Sequence, residues 1–155
     1  MILTLLSLLL SSSVLAAAPL GLAAGAQLGE PVAVTLGYRW TDDMTVQLAQ
    51  GWSFGQKRMH IGLDYQYTFA EIPSDDGMGL RYPVYVGAGL RFRAFGSGGS
   101  VSDDPQNFGF RFPVGAAVSP DHIPLEVYFE MAPVWVISPR SHGGFDGGIG
   151  GRLFF

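Results

Sequence analysis

Apolar residues occupy every second position in one segment after another, and this alternation constrains the fold more than any other feature. Residues 58–69 are the clearest case. Six apolar or aromatic side chains alternate there with polar or small ones: Met59, Ile61, Leu63, Tyr65, Tyr67 and Phe69. A period of two is typical of a β-strand with one apolar face.

Eight segments show this alternation and are predicted to be strands. They are residues 20–28, 32–40, 45–54, 58–69, 81–93, 108–118, 124–137 and 145–155. Connections rich in Gly, Pro, Asp and Ser separate them, including a long one at 71–79, and no useful helix remains. Strand ends or bulges are expected near Pro83, Pro113 and Pro133, because proline cannot donate a hydrogen bond to a sheet. The predicted fold class is all-β.

The amino terminus is predicted to be a signal peptide over residues 1–17. An apolar run at Ile2 to Leu10 is followed by serines and then by small residues, so cleavage is expected after Ala16 or Ala17. A short membrane anchor is the alternative, but the run is shorter than the roughly 20 residues that a spanning helix needs. Residues 18–155 are then a single β-barrel domain.

Composition excludes several function classes. The chain is 48% hydrophobic and only 14% charged, which leaves few charges to cover a water-soluble surface. Its net charge of −4 and lack of a basic cluster argue against a nucleic-acid partner. Without cysteine it has no disulfide, thiol nucleophile or cysteine-based metal site.

The polar face of the strands indicates which side of a barrel is outside. Glycine is abundant on that face, which suits the crowded interior of an eight-stranded barrel better than a solvent-facing surface. We therefore predict a polar interior network of six arginines and four carboxylates. Its members are Arg39, Arg58, Asp64, Arg91, Arg93, Arg111, Glu126, Glu130, Asp146 and Arg152.

The apolar face carries aromatic residues toward the strand ends, as the outer face of a membrane barrel does. They include Trp40, Trp52, Phe54, Tyr67, Phe69, Tyr82, Phe92 and Phe108. Strands of about 9–11 residues can span a bilayer when tilted. The prediction is an eight-stranded antiparallel up-and-down transmembrane β-barrel. The alternative is a soluble ligand-binding β-barrel, with the apolar face inside.

Several stretches resemble the small eight-stranded outer-membrane β-barrel proteins of Gram-negative bacteria, and more narrowly an uncharacterised family of such barrels. They are WSF (52–54), HIGLDYQYTF (60–69), PVYVGAGLRFR (83–93), FRFPVGAAV (110–118), PLEVYFEMAPV (124–134) and GGIGGRLFF (147–155). The resemblance covers nearly all of the mature chain and concerns fold rather than activity.

The resemblance implies a location in the bacterial outer membrane and a monomer. Partners would be outer-membrane lipids, with the barrel-insertion machinery and periplasmic chaperones during assembly. The terminal Phe155, with Leu153 before it, resembles the membrane insertion signal of that group. Glycines at 147 and 151 depart from its alternating apolar pattern.

A structural or interaction role is predicted, with no enzyme activity, no cofactor and no open pore. A lipid A-modifying enzyme is the less favoured alternative, because no motif joins His60, His122 or His142 to a nucleophile. His60 is expected to face inward near Asp64. Three dispersed histidines do not have metal-ligand spacing, and the Gly-rich stretch 87–99 lacks the lysine of a phosphate loop.

Overall fold

The computed structural model describes residues 20–53, 58–74, 79–95 and 106–155; the predicted signal peptide lies outside them, as does Phe54. Those residues contain nine strands: β1 Gly21–Glu30, β2 Val32–Thr41, β3 Met44–Ser53, β4 Arg58–Pro73, β5 Leu80–Phe95, β6 Asn107–Arg111, β7 Val114–Pro120, β8 Leu125–Ser138 and β9 His142–Phe154. No helix in this part of the chain is long and apolar enough to cross a membrane.

The strands form one antiparallel sheet that closes into a ring. Strands adjacent in sequence pair with each other around the sheet, except β6 and β7, which both lie between β5 and β8. The first strand also pairs with the last, from Ala23 opposite Phe154 to Glu30 opposite Gly147. This pairing joins the two edges of the sheet, which removes the open edges that a flat sheet would have. The architecture is an up-and-down all-β barrel.

The structure has nine strands where the sequence predicted eight. The predicted strand 108–118 is divided into β6 and β7 at Phe112 and Pro113. Pro113 has no N–H to give to the ladder, so regular pairing stops there. Both halves still lie between β5 and β8, and the Gly87 N–H donates to the Pro113 carbonyl at 2.7 Å.

The other two prolines differ in their effect on the strands. A bulge between Thr68 and Ala70 lies opposite the segment that contains Pro83, as expected. β8, in contrast, is itself unbroken through Pro133, although β6 ends and β7 begins opposite this proline, between Arg111 and Val114. The connection predicted at 71–79 is also shorter than expected, because β4 and β5 stay paired as far as Pro73 and Arg81.

The register tilts the strands around the barrel. From Gly62, the pairing leads through β5 and β6 to Val136 on β8. In the other direction it leads through β3, β2, β1 and β9 to Glu126 on the same strand. The two positions, 126 and 136, are ten residues apart along β8. A shift of this kind comes with strand tilt, and a barrel this narrow has an interior that side chains fill.

Side chains alternate between the two faces of the wall. The outer face carries large apolar side chains with exposures from 37% to 70%. They include Leu22, Leu36, Tyr38, Leu48, Leu63, Phe69, Leu90, Phe110, Phe129, Trp135, Ile149 and Leu153. The inner face carries buried and mostly polar side chains. The usual distribution of a soluble protein, with apolar residues inside, is therefore reversed.

The barrel has two ends, which we name by the strand ends that lie there. The terminal end carries Gly21 and Phe154, together with the turns at 42–43 and 121–124. The far end carries Pro31, Ser53, Asn107 and the connection at 139–141. Because alternate side chains of every strand point inward, polar side chains from all strands meet in the interior between these ends.

Candidate functional site: the polar interior

Buried polar side chains line the barrel from one end to the other. Near the terminal end, Glu126 on β8 binds two arginines. Arg39 donates to it from Nη2 at 2.9 Å, and Arg152 donates from Nε at 2.8 Å and also from Nη2. Arg39 also donates from Nε to the Thr45 hydroxyl at 3.0 Å. Its guanidinium lies 4.5 Å from the ring centre of Phe154, a cation–π contact.

The middle of the interior is organised around Glu130, which is fully buried. Its carboxylate accepts hydrogen bonds from Arg111 Nη2 at 2.6 Å, from the Tyr85 hydroxyl at 2.9 Å and from Gln66 Nε2 at 3.1 Å. Arg111 also donates from Nη1 to Asp64. Arg111 therefore lies between two buried carboxylates, which share its single positive charge.

Glutamines connect this middle group to the terminal end. Arg152 Nη1 donates to Gln47 Oε1 at 2.8 Å and to Gln66 Oε1 at 3.2 Å. Since Gln66 also donates to Glu130, one amide joins the two groups into a continuous network. Both glutamines are buried.

Toward the far end, Asp146 on β9 is the common acceptor. Arg91 Nη1 lies 2.8 Å from Asp146 Oδ1, and Arg93 Nη2 lies 3.0 Å from the same oxygen. The other oxygen, Oδ2, lies 3.7 Å from both Arg111 Nε and His60 Nε2. Asp146 is fully buried, so its charge depends on these cations for stabilisation.

Many of these contacts cross the interior between strands that are not neighbours in the sheet. The Arg39–Glu126 pair links β2 to β8, and Arg111–Asp64 links β6 to β4. Gln27 and Tyr128 meet from β1 and β8 at 3.4 Å. Side chains that bridge opposite walls fill the cross-section and fix the walls relative to one another.

The ten residues predicted for the interior network fall into two groups. Nine have described side chains, and each of them forms a hydrogen bond or ion pair with another of the nine: Arg39, Asp64, Arg91, Arg93, Arg111, Glu126, Glu130, Asp146 and Arg152. The tenth, Arg58, begins β4, and its side chain lies outside the described part. His60 faces inward, but its nearest carboxylate is Asp146 rather than Asp64.

Sequence reasoning missed the uncharged members of the network. Gln47, Gln66, Thr45 and Tyr85 were not among the candidates, although all four alternate in step with inward-facing residues. Their parity was the available signal. The predicted network contained only charged side chains, and these four are uncharged.

Glycines make room for the large inward side chains. A Cβ at Gly150 on β9 would overlap the ring of Tyr128, and one at Gly89 would overlap the carboxylate of Asp64. The interior is therefore packed to the backbone at these points, which explains why the polar face of the strands is rich in glycine.

The substitution Gly150→Ala is expected to destabilise the barrel by about 1–3 kcal/mol, because the added methyl group forces the Tyr128 ring out of place. Gly143→Ala is the matched control on the same strand, since a Cβ there meets no described atom within 4 Å. Denaturant unfolding of the two variants in detergent measures the difference. Equal stability of both would contradict the packing described here.

The described residues offer little support for a metal site, a histidine-based catalytic site or an apolar ligand pocket in the interior. They contain no group of three or more His, Asp or Glu side chains arranged to hold a metal ion. His122 lies at the terminal end. His142 lies at the far end, where its Nδ1 is 2.9 Å from the Arg140 carbonyl oxygen. A shallow groove lined by Ala24, Leu36 and Gln50 lies on the outer face rather than in the interior.

A known structure shares this fold. The crystal structure of the N-terminal β-barrel domain of OprF from Pseudomonas aeruginosa aligns with a TM-score of 0.63 and 21% sequence identity. The alignment covers 85% of this chain and 93% of that domain. Identity this low shows the shared barrel fold and not a shared activity. No family model matches the sequence, and no curated protein matches it.

Proposed function

We propose that this chain is an integral outer-membrane β-barrel protein with a structural or interaction role, whose interior is filled by side chains and forms no open pore. The observation that carries the proposal is the outer face, where large apolar side chains surround a closed barrel. A soluble ligand-binding barrel needs the opposite arrangement, with an apolar interior. A closed sheet also satisfies its own backbone hydrogen bonds, which is a requirement for crossing a bilayer.

The residue types on the outer face are ordered along the barrel axis as in a membrane barrel, with aliphatic residues in the middle and aromatic residues on either side. A row of aliphatic side chains crosses the middle strands, where Leu36, Leu48, Leu63 and Leu90 stand opposite one another in turn. Aromatic rings flank this row. Tyr38, Trp40 and Tyr65 cluster toward the terminal end, with ring centres 5.9–6.4 Å apart. Phe108 and Phe110 lie toward the far end. Two aromatic girdles around an aliphatic band match the two interfaces of a bilayer.

The interior supports a structural role rather than transport or catalysis. Its arginines and carboxylates bind one another across the barrel, so they hold the walls together and occupy the space that a pore would need. The likeness to the OprF barrel domain supports the barrel fold itself. Steady, large conductance in planar bilayers would contradict the closed interior.

Cell fractionation with gel electrophoresis tests the proposal. The protein is expected in the outer-membrane fraction, and its migration is expected to change on boiling, because a folded membrane barrel resists detergent until heated. A soluble pool whose migration does not change on boiling would contradict the membrane proposal and favour the soluble barrel.

The carboxyl terminus is proposed to be the insertion signal, with Leu153 and Phe155 on the lipid face. Both side chains are exposed, and the Phe155 N–H donates to the Leu22 carbonyl at 2.9 Å, which ties the last residue to β1. In the proposed topology the terminal end faces the periplasm, where the insertion machinery and chaperones meet the chain.

Deletion of Phe155 is expected to reduce assembly into the outer membrane, because the chain loses its terminal aromatic residue. Phe155→Tyr is the control, since it keeps an aromatic ring at the same position and should assemble normally. The heat-modifiable fraction in isolated outer membranes measures assembly. Full assembly of the deletion variant would exclude Phe155 as the signal.

A further inference from the structure

The far-end group of the interior contains more positive than negative charge. Arg91 and Arg93 both bind one oxygen of Asp146, at 2.8 and 3.0 Å. Asp146 is the only carboxylate within ion-pair distance of either guanidinium among the described residues. Arg111 reaches the second oxygen at 3.7 Å, but two of its nitrogens already bind Asp64 and Glu130. Within the described residues, the two arginines therefore share one carboxylate and together carry one positive charge more than it balances.

The same group holds buried polar atoms without a partner. The Nε atoms of Arg91 and Arg93, the hydroxyl of Ser53 and Nε2 of His60 form no hydrogen bond within the described residues. Oδ2 of Asp146, an acceptor, has none either, and Arg111 Nε and His60 Nε2 each lie 3.7 Å from it. Arg91, Ser53 and His60 are each at least nine-tenths buried. A buried donor left unpaired costs about 1–3 kcal/mol, so several together favour a ligand that accepts hydrogen bonds.

These atoms belong to three successive strands, β3, β4 and β5, at inward positions near the far end. His60 on β4 stands opposite Arg93 on β5 and opposite Gly51 on β3, two residues from Ser53. The side chain of Arg93 is 12% exposed, whereas that of Arg91 is 2% exposed. Arg93 is thus the more exposed of the two arginines, and a small solute would meet it first.

We propose that Arg91 and Arg93, with Ser53 and His60 beside them, form a binding site for a small oxyanion of the phosphate class. A guanidinium binds phosphate oxygens with two parallel N–H donors, and its Nε–H is one of that pair. Arg91 keeps this edge free, because Asp146 binds its Nη1. Arg93 adds a free Nε–H, although its Nη2 already donates to Asp146. The excess charge supplies the attraction. The site lies inside the wall, away from the lipid face, so its ligand is a free ion rather than a lipid headgroup.

Titration of the folded protein in nonionic detergent with inorganic phosphate tests the site. Binding is expected to be saturable and to shift the NMR signals of the Arg91 and Arg93 Nε–H groups. Arg93→Gln should weaken binding by about tenfold or more, in line with the loss of a charged hydrogen bond. Arg81→Gln is the control, because Arg81 binds Asp121 and Glu71 at the terminal end.

Two further measurements separate phosphate binding from a folding defect and from binding of an anionic lipid. Ser53→Ala removes a donor without removing charge, and should weaken binding if Arg93→Gln does not fold. Vesicles that contain phosphatidylglycerol, in the absence of free phosphate, should leave the Nε–H signals unchanged. The site would be refuted by non-saturable phosphate binding, by equal loss in the Arg81 control, or by a response to the anionic lipid.

Discussion

The variant Arg111→Met is expected to lose about 3–5 kcal/mol of folding stability, the cost of leaving buried charges without their partner. Arg111 binds both Asp64 and Glu130, and neither carboxylate has measurable exposure. Methionine keeps an unbranched side chain about as long as the apolar stem of arginine but removes the guanidinium and its charge. Two carboxylates would then face each other in the barrel interior with one partner fewer. Equilibrium unfolding in denaturant, with the protein in detergent or lipid, measures the loss.

Two further variants separate the charge effect from packing. Adding Glu130→Gln to Arg111→Met removes one of the uncompensated charges, so the double variant should recover part of the lost stability. Arg81→Met breaks the partly exposed ion pairs at the terminal end and should cost no more than about 1 kcal/mol. If Arg111→Met were as mild as Arg81→Met, the interior network would not be what holds the barrel walls together.

Leu36→Arg is expected to cost about 2–4 kcal/mol when the protein is folded in a bilayer, the penalty for a basic residue at the middle of the lipid face. Leu36 is 60% exposed and lies in the aliphatic row, opposite Leu48 and Ala24. The same substitution on a soluble protein would place an arginine in water, with almost no effect. The change in folding free energy caused by Leu36→Arg therefore distinguishes a surface in lipid from a surface in water.

Leu28→Arg is the matched control for depth. Leu28 is 70% exposed on the same outer face, but it lies near the far end of β1, two residues from the strand end. Near an interface the penalty falls to about 0–1 kcal/mol. Unfolding in lipid vesicles should therefore rank Leu36→Arg well below Leu28→Arg in stability. Equal and negligible effects at both positions would indicate that this face contacts water.

The fold was largely predictable from alternation, because a period of two assigns every residue of a strand to one face. Parity alone put Glu126 and Glu130 on the inner face and Phe129 on the outer face, as the structure has them. Strand boundaries were less predictable. The division at Pro113 depends on how one proline fits between two partner strands, and the extension of β4 to Pro73 depends on pairing with β5. Both are set by tertiary contacts.

It was easier to predict which side chains face the interior than which of them contact one another. Alternation identifies which side chains share the interior, but strand tilt and shear decide which of them meet. Asp64 therefore contacts Arg111 on β6, while His60 on its own strand lies nearest Asp146 on β9. Gln66 joins the middle group around Glu130 to Arg152 at the terminal end. It carries no charge, so its inward position in the alternation was the only sequence signal.

Tryptophan fluorescence in bilayers with brominated acyl chains tests the central claim most directly. The chain has three tryptophans, and all face outward: Trp40, Trp52 and Trp135 are 39%, 48% and 57% exposed. If this surface contacts lipid, brominated chains should strongly quench their emission, and aqueous iodide should have little effect. Emission that iodide quenches and brominated lipid leaves unchanged would place these rings in water and contradict the account.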